Sequence, residues 1–414
     1  MSDASKQTAK LMVVEQPSLG SYVQDWLVRV RSGDLGSLPI IIGIVAIAAI
    51  FGTLSEGIFF RERNFVNLLL QMSGLSAISM GVVFVLLIAE IDLSVGFVGA
   101  VGGVTMTLLL REANSNWPWW AAIGAALVIV TLIGLLHGLI ITKASVPSFV
   151  VTLAGLLAWS GVVLILTTSF STAGTIVIQD EIVLGIANSY LSTAWGWALF
   201  VVAVGAYAAS QIAAQQSLRK KNLAGKPTAV IGLEIAALIV LGGGAVWYAT
   251  QDRGVPTSAV IVLGFLLLWS FIANRTKFGR YVYAVGGNPE AARRAGIDVD
   301  RIRIAVFMIS SFMAGVGGII LASRLRSVDT NAGGGNLLLN AIAAAVIGGT
   351  SLFGGSGKVT SALLGALIIA SVENGMGLMG WASGVKFVVN GSVLLAAVLV
   401  DSFSRRSRSA SGIA

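Results

Sequence analysis

"VGGNPEAARRAGIDVDRIRI", Val285–Ile304, carries four arginines and three carboxylates in a chain that is 56% hydrophobic and only 11% charged. So polar an island is informative because of what surrounds it. On both sides apolar runs of about 20 residues recur, the length a helix needs to cross hydrocarbon. Ordinary soluble domains are about one-quarter charged, and a single hydrophobic core could not absorb 414 residues of this composition. A membrane barrel would show short alternating strands instead. The fold class is therefore all-α: a polytopic membrane helical bundle.

Working outward from the island, candidate spans fall near 38–60, 70–89, 93–110, 119–142, 148–168, 192–213, 228–249, 256–274, 303–323, 336–353, 359–378 and 384–402. The expected number is 10–12. The tenth is interrupted by Gly348, Gly349, Gly354 and Gly355 and reads as a broken or re-entrant segment. Such backbone survives at membrane depth only where protein or a water-filled cavity satisfies it. With the N-terminus inside, 20 lysines and arginines fall on inner loops and 7 on outer ones. The positive-inside rule then places both termini in the cytoplasm. The pairs Arg61/Arg63 and Arg324/Arg326 are the outer exceptions. Three regions result: a cytoplasmic segment 1–37, a transmembrane domain 38–403 with a cytoplasmic loop at 275–303, and a tail 404–414. In the first, Val23, Trp26, Leu27 and Val30 share one helical face, the pattern of an interfacial helix over 18–36 lying on lipid.

The composition also excludes. Without cysteine there are no disulfides and no thiolate metal sites, and the lone His137 rules out a multi-histidine centre, so no metal is expected. The first ~37 residues lack the apolar core of a signal peptide. A net charge of +8 reflects basic inner loops, not a nucleic-acid partner.

The island itself contains a complete short helix. Asn288 is placed to cap it, Pro289 fits its first position, and Glu290 favours the positive end of the dipole. Ala291, Ala292, Arg293, Arg294 and Ala295 are helix formers, and Gly296 ends it. A second start follows at Asp298 or Asp300. So short a helix persists only if something holds it. It reads either as a docking helix for a cytoplasmic partner or as a charged loop that merely fixes topology.

Elsewhere, "GGSGKVTSALLG" (Gly354–Gly365) fails as a phosphate loop. Gly357-Lys358 is followed by Val359, Leu352 stands where the first glycine belongs, and no strand precedes it. Any ATP used must be hydrolysed by another polypeptide. "AEIDLSVG" (Ala89–Gly96) sets Glu90, Asp92 and Ser94 before a glycine-rich helix. A capped, close-packed turn outweighs a transport role there. "VIGGTSLFGG" (Val346–Gly355) has a similar layout, a hint of internal repetition. Glu234 is an acid inside a span, a functional candidate by default, although its span looks added to a core. His137 lies within Gly134-xxx-Gly138, a helix-packing pattern. Gln71, Asn336, Asn340, Asn374 and Asn390 are amides in or near spans. Such groups bind hydroxylated substrates, but they also glue helices together.

Several blocks together resemble the permease subunits of bacterial monosaccharide ABC importers, within the ribose/branched-chain amino acid permease superfamily. They are "VRSGDLGSLP" (Val30–Pro39), "IDLSVG", "VPSFVVTLAGLLAW" (Val146–Trp159), "FGRYVYAVGGNPEAARRAGI" (Phe278–Ile297), "AGGGNLLLNAIAAAVIGGTSLFGG" (Ala332–Gly355) and "SGVKF" (Ser383–Phe387). The two extra spans around "RKKNLAGK" (Arg219–Lys226) look like the xylose-type branch. The resemblance implies a type II importer-like permease fold and a homodimer. It also implies a cytoplasmic ABC ATPase that carries ATP and magnesium, and a periplasmic sugar-binding protein. This chain would bind no cofactor, would not be an enzyme, and would lie in the lipid of a bacterial inner membrane. Asn288 to Gly296 would be the segment that seats in the ATPase. Gln71, Glu90, Asp92, Ser94, Asn336, Asn340, Asn374 and Asn390 remain candidates for the pathway. The implied cargo is D-xylose, with ribose, galactose or another small molecule as alternatives. A different mechanism, ion-coupled transport through Glu90, Asp92 or Glu234, is the rival reading, and a non-transport scaffold is a third.

Overall fold

The hydrophobic stretches become helices because backbone polar groups removed from water must bond within their own segment. The computed structural model describes residues 38–410 except 222 and 224, together with Gly20, Gln24 and Val28. Apart from those three positions, the interfacial helix expected over 18–36 lies outside the described residues. Along the chain run α1 (Leu38–Leu54), a 3-10 turn at Ile58–Phe60, α2 (Glu62–Leu87), α3 (Val95–Leu110), α4 (Trp119–Lys143), α5 (Ser148–Phe170) and a short α6 (Glu181–Asn188). Then follow α7 (Thr193–Lys220), α8 (Thr228–Thr250), α9 (Thr257–Arg275), α10 (Lys277–Gly287) and α11 (Pro289–Arg294). The last four are α12 (Val299–Leu325), α13 (Leu337–Ile347), α14 (Thr360–Leu378) and α15 (Ser383–Ala410). α15 runs through 404 without a break, so the expected boundary between membrane domain and tail falls inside one helix.

Among the described residues eight helices are long and apolar enough to cross a membrane: α2, α4, α5, α7, α8, α9, α12 and α14. α1, α3, α13 and the first part of α15 are apolar but shorter. These eight and four fall on the twelve expected stretches. The tenth, α13, has 11 residues. At 1.5 Å per residue it is about 16 Å long, roughly half the hydrocarbon thickness.

The chain separates into two compact units. The larger comprises Gly36–Tyr190 and Pro256–Phe403. Its central helix is α12, which packs against α2, α3 and α4 through small residues. Gly318 lies so close to Gly99 that a Cβ on it would collide with the Gly99 carbonyl, and Gly134 meets the backbone of Phe307 in the same way. Without a hydrophobic drive between helices in lipid, such close approach is what holds them. At the end of α12 away from α11, β1 (Thr175–Val177) pairs antiparallel with β2 (Ser327–Asp329).

The smaller unit includes Leu191–Val255, with α7 and α8 as a hairpin. There Glu234 is tied to Lys226 at 2.6 Å and accepts a hydrogen bond from the Tyr207 hydroxyl at 3.0 Å.

Among the non-helical stretches of the larger unit are 88–94 between α2 and α3, and 348–359 between α13 and α14. Their surroundings are ordered in opposite ways. The first joins a 26-residue helix to one of 16, the second an 11-residue helix to one of 19. The two meet where the Gly355 N–H donates to the Leu87 carbonyl at 2.9 Å. Gly354 and Gly355 have φ of 83° and 71°, conformations that favour glycine. α10 joins them there, its Tyr283 hydroxyl donating to the Gly357 carbonyl at 2.9 Å. Burial pushes that phenol's pKa up, which keeps it a donor.

One expectation changes. Residues 275–303 read as a polar loop holding a single short helix, but the structure has two, α10 and α11. Gly279, Val282, Val285 and Gly286 recur at helical spacing and are buried, which is why α10 forms despite its charged flanks.

Candidate functional site

α11 is built as its sequence reads. Asn288 Oδ1 accepts the Ala291 N–H at 3.0 Å, Pro289 opens the helix, and Gly296 turns out with φ of 82°. Glu290 and Arg293 form an exposed ion pair at 3.1 Å. Only Ala292 is buried, at 4% exposure. Glu290, Ala291, Arg293, Arg294, Ala295 and Gly296 are open to the surroundings. Asp298, not Asp300, caps the next helix by accepting the Arg301 N–H at 3.0 Å. Six helical residues thus carry one buried anchor and an otherwise free surface, an arrangement suited to being gripped by something else.

The stretch 88–94 carries a buried polar chain. Asp92 is 3% exposed. Its Oδ1 accepts the Ser94 N–H at 3.0 Å and the Ser94 hydroxyl at 2.6 Å, and its Oδ2 accepts the Ser310 hydroxyl at 2.9 Å. Ser94 lies 3.5 Å from His137 Nδ1, and His137 Nε2 accepts from the Trp159 indole at 3.1 Å. Serine, histidine and aspartate are neighbours here, but Asp92 orients the serine instead of the histidine, and all three are buried. The chemistry is that of a brace for irregular backbone, not of a nucleophile. Ser94 caps nothing with its side chain. Glu90 points the other way and pairs with Arg303 at 3.1 Å.

A second polar belt is carried by α14. On one side Asn374 exchanges hydrogen bonds with Asn64 at 2.9 and 3.0 Å and donates to Gln71 at 3.3 Å. On the other, Glu373 accepts from Asn340 at 2.6 Å and from Asn390 at 3.2 Å. Asn390 also donates to Asn340 at 3.4 Å, and its own Oδ1 is buried without a partner. Four of the amides singled out from sequence therefore meet: Gln71 with Asn374, and Asn340 with Asn390. Asn336 stands apart at the start of α13 and makes no side-chain cap. Glu90, and Asp92 with Ser94, form separate groups.

Sequence reading missed Asn64 and Glu373. Glu373 is an acid inside a span, so the rule that singled out Glu234 applied equally to it. Among the described residues no cluster of three histidines or carboxylates is placed to hold a metal ion.

Comparisons agree with this architecture. A family described as "branched-chain amino acid transport system / permease component" matches residues 64–400. The xylose transport system permease protein XylH of Escherichia coli is 38% identical over 410 residues, covering 98% of this chain and all of the relative. Its counterpart in Haemophilus influenzae is 33% identical over 382 residues, 91% of this chain and 99% of the relative. The ribose import permease protein RbsC of Escherichia coli is 32% identical over 382 residues, 92% of this chain and 95% of the relative. No solved structure matches the chain significantly.

Proposed function

Since the chain belongs to the family of branched-chain amino acid transport system permease components, we propose that it forms the membrane pathway of an ATP-driven importer whose cargo is D-xylose. It is a multi-pass membrane transport subunit, not an enzyme. In this reading a separate cytoplasmic ATPase binds ATP and magnesium, a periplasmic protein delivers the sugar, and two copies of the chain face each other in a bacterial inner membrane. Both termini lie in the cytoplasm, as the basic-residue balance implies.

The observation that carries the mechanism is α11. An ordered helix with one buried residue and a free face fits an importer driven from outside the membrane, which needs a handle for its partner to grip. Asn288 to Gly296 would sit in the ATPase, with Ala291, Arg294 and Ala295 on the contacted face. The cargo rests on the full-length likeness to xylose permeases. The pathway rests on the belt around α14. Gln71, Asn340, Asn374, Asn390 and Glu373 set hydrogen-bonding groups, bonded here to one another, inside an apolar bundle, groups that a hydroxylated cargo can exchange into. Ribose is the second reading, favoured by the likeness to the ribose permease.

Uptake of labelled D-xylose into proteoliposomes containing the permease, its ATPase and the binding protein tests this. The expected result is uptake that needs ATP and all three components and is competed by unlabelled xylose but not by ribose or galactose. Uptake competed only by ribose replaces the cargo. Uptake by the permease alone, driven by an ion gradient, overturns the mechanism.

A further inference from the structure

α12 holds the non-helical stretch 88–94 at two points. Arg303 Nη2 meets Glu90 Oε1 at 3.1 Å, and seven residues further along, two helical turns on the same face, the Ser310 hydroxyl donates to Asp92 Oδ2 at 2.9 Å. The first link is well shielded, with side-chain exposures of 27% for Arg303 and 15% for Glu90. The start of α12 is in turn fastened to α11. The Ile297 N–H donates to the Ala292 carbonyl at 3.1 Å, Asp298 caps α12, and Ala292 and Val299 are buried at 4% and 2%. This connection is a hydrogen-bonded turn and not a loose tether, so displacement of α11 displaces the first turns of α12.

Beside the Glu90–Arg303 pair lies a polar cavity of about 350 Å³. Arg293 and Asp300 reach it, as do Thr142 and Ser148 from the α4 and α5 ends. Arg303 Nε is buried without a partner. The cavity thus brings a group of opposite sign near each member of the pair, Asp300 for Arg303 and Arg293, which now pairs with Glu290, for Glu90, with room to exchange. A half-buried pair with a second pairing within reach is the kind of element that converts a small push into a switch.

We infer that the Glu90–Arg303 pair is the link that carries motion of α11 into the stretch 88–94 and hence into α3, so that these two side chains position the pathway during each transport cycle. The inference rests on the importer reading. It is tested in proteoliposomes holding the permease, its ATPase and the binding protein, by the ATP hydrolysed per labelled D-xylose taken up. Glu90→Gln is expected to raise that ratio about 5-fold or more, the size of a typical coupling between sites, with the complex still assembled. Glu90→Asp, which keeps the charge, stays closer to wild type. The reversed pair Glu90→Arg with Arg303→Glu is expected to be better coupled than either single reversal, which ties the effect to the pairing of these two side chains, while the ratio measured on the intact complex separates lost coupling from lost folding. An unchanged ratio in Glu90→Gln, or a reversed pair no better than its singles, overturns this inference alone. No ATP-driven uptake by the wild type overturns the importer reading and this inference with it.

Discussion

Asp92 accepts three hydrogen bonds, from the Ser94 N–H, the Ser94 hydroxyl and the Ser310 hydroxyl, in a setting that water does not reach. Removing the carboxylate strands a backbone donor and two hydroxyls, and a buried group left unmade costs about 1–3 kcal/mol. Asp92→Ala is therefore expected to lower the apparent melting temperature of the detergent-solubilised permease clearly. Asp92→Asn, which keeps an acceptor and lets the Ser310 hydroxyl rotate, is expected to lower it less. Equal melting of the two would mean that the bonds contribute little. The sequence brings a reader to the edge of this site and no further. "IDLSVG" announces a polar turn before a helix, but Ser310 lies 218 residues away and His137 43 residues from Ser94. Glu373 shows the same limit. Its partners Asn340 and Asn390 are 33 and 17 residues distant, so nothing local marks it as the centre of a belt. Glu234 differs, since its cation Lys226 is only eight residues away, in the hairpin turn.

Elements were more legible than contacts, because each answers to a short-range rule. Apolar length set the spans, and the Asn288–Gly296 punctuation set α11. What blurred the reading was competition between rules. α10 was hidden by its charged flanks, although Gly279, Val282 and Gly286 carry the helical period. α11 supports a prediction at this scale. The Glu290–Arg293 pair is exposed, and such pairs are worth at most about 1 kcal/mol. Glu290→Ala or Arg294→Ala is thus expected to weaken co-purification with the ATPase while expression and melting stay as in wild type. Retained association in both would remove these side chains from the docking surface. The α3–α12 contact gives a contrasting case. Gly318 has no room for a side chain against the Gly99 carbonyl. Gly318→Leu must push the two helices apart, and overpacking of this kind costs typically about 1–3 kcal/mol or more. Its expected outcome is loss of folded protein in fluorescence-detected gel filtration, whereas a similar change at Gly161, where a Cβ meets open space, leaves the elution profile intact.

At the scale of the molecule, the division into two units argues that the α7–α8 hairpin is an addition and not part of the transport machinery. Every polar group assigned a role above lies in the larger unit. Glu234, an intramembrane acid in the smaller, is occupied by Lys226 and Tyr207 of its own hairpin. The larger unit also closes across the gap the hairpin leaves. The Thr257 N–H and hydroxyl both donate to the Ser189 carbonyl at 3.0 Å, so the two ends of the inserted segment are already side by side. Excising Leu191–Val255 and joining the ends through a few glycines therefore asks for little movement of the remaining chain. It removes two spans, an even number, so the orientation of α9 and everything after it is preserved, as is the side on which the basic loops lie. The shortened permease is expected to elute as a folded species and to sustain ATP-dependent xylose uptake at a rate within an order of magnitude of the full chain. Uptake lost from a protein that still folds and binds its ATPase would place the hairpin in the transport cycle. The pathway would then have to be sought beyond the belt around α14.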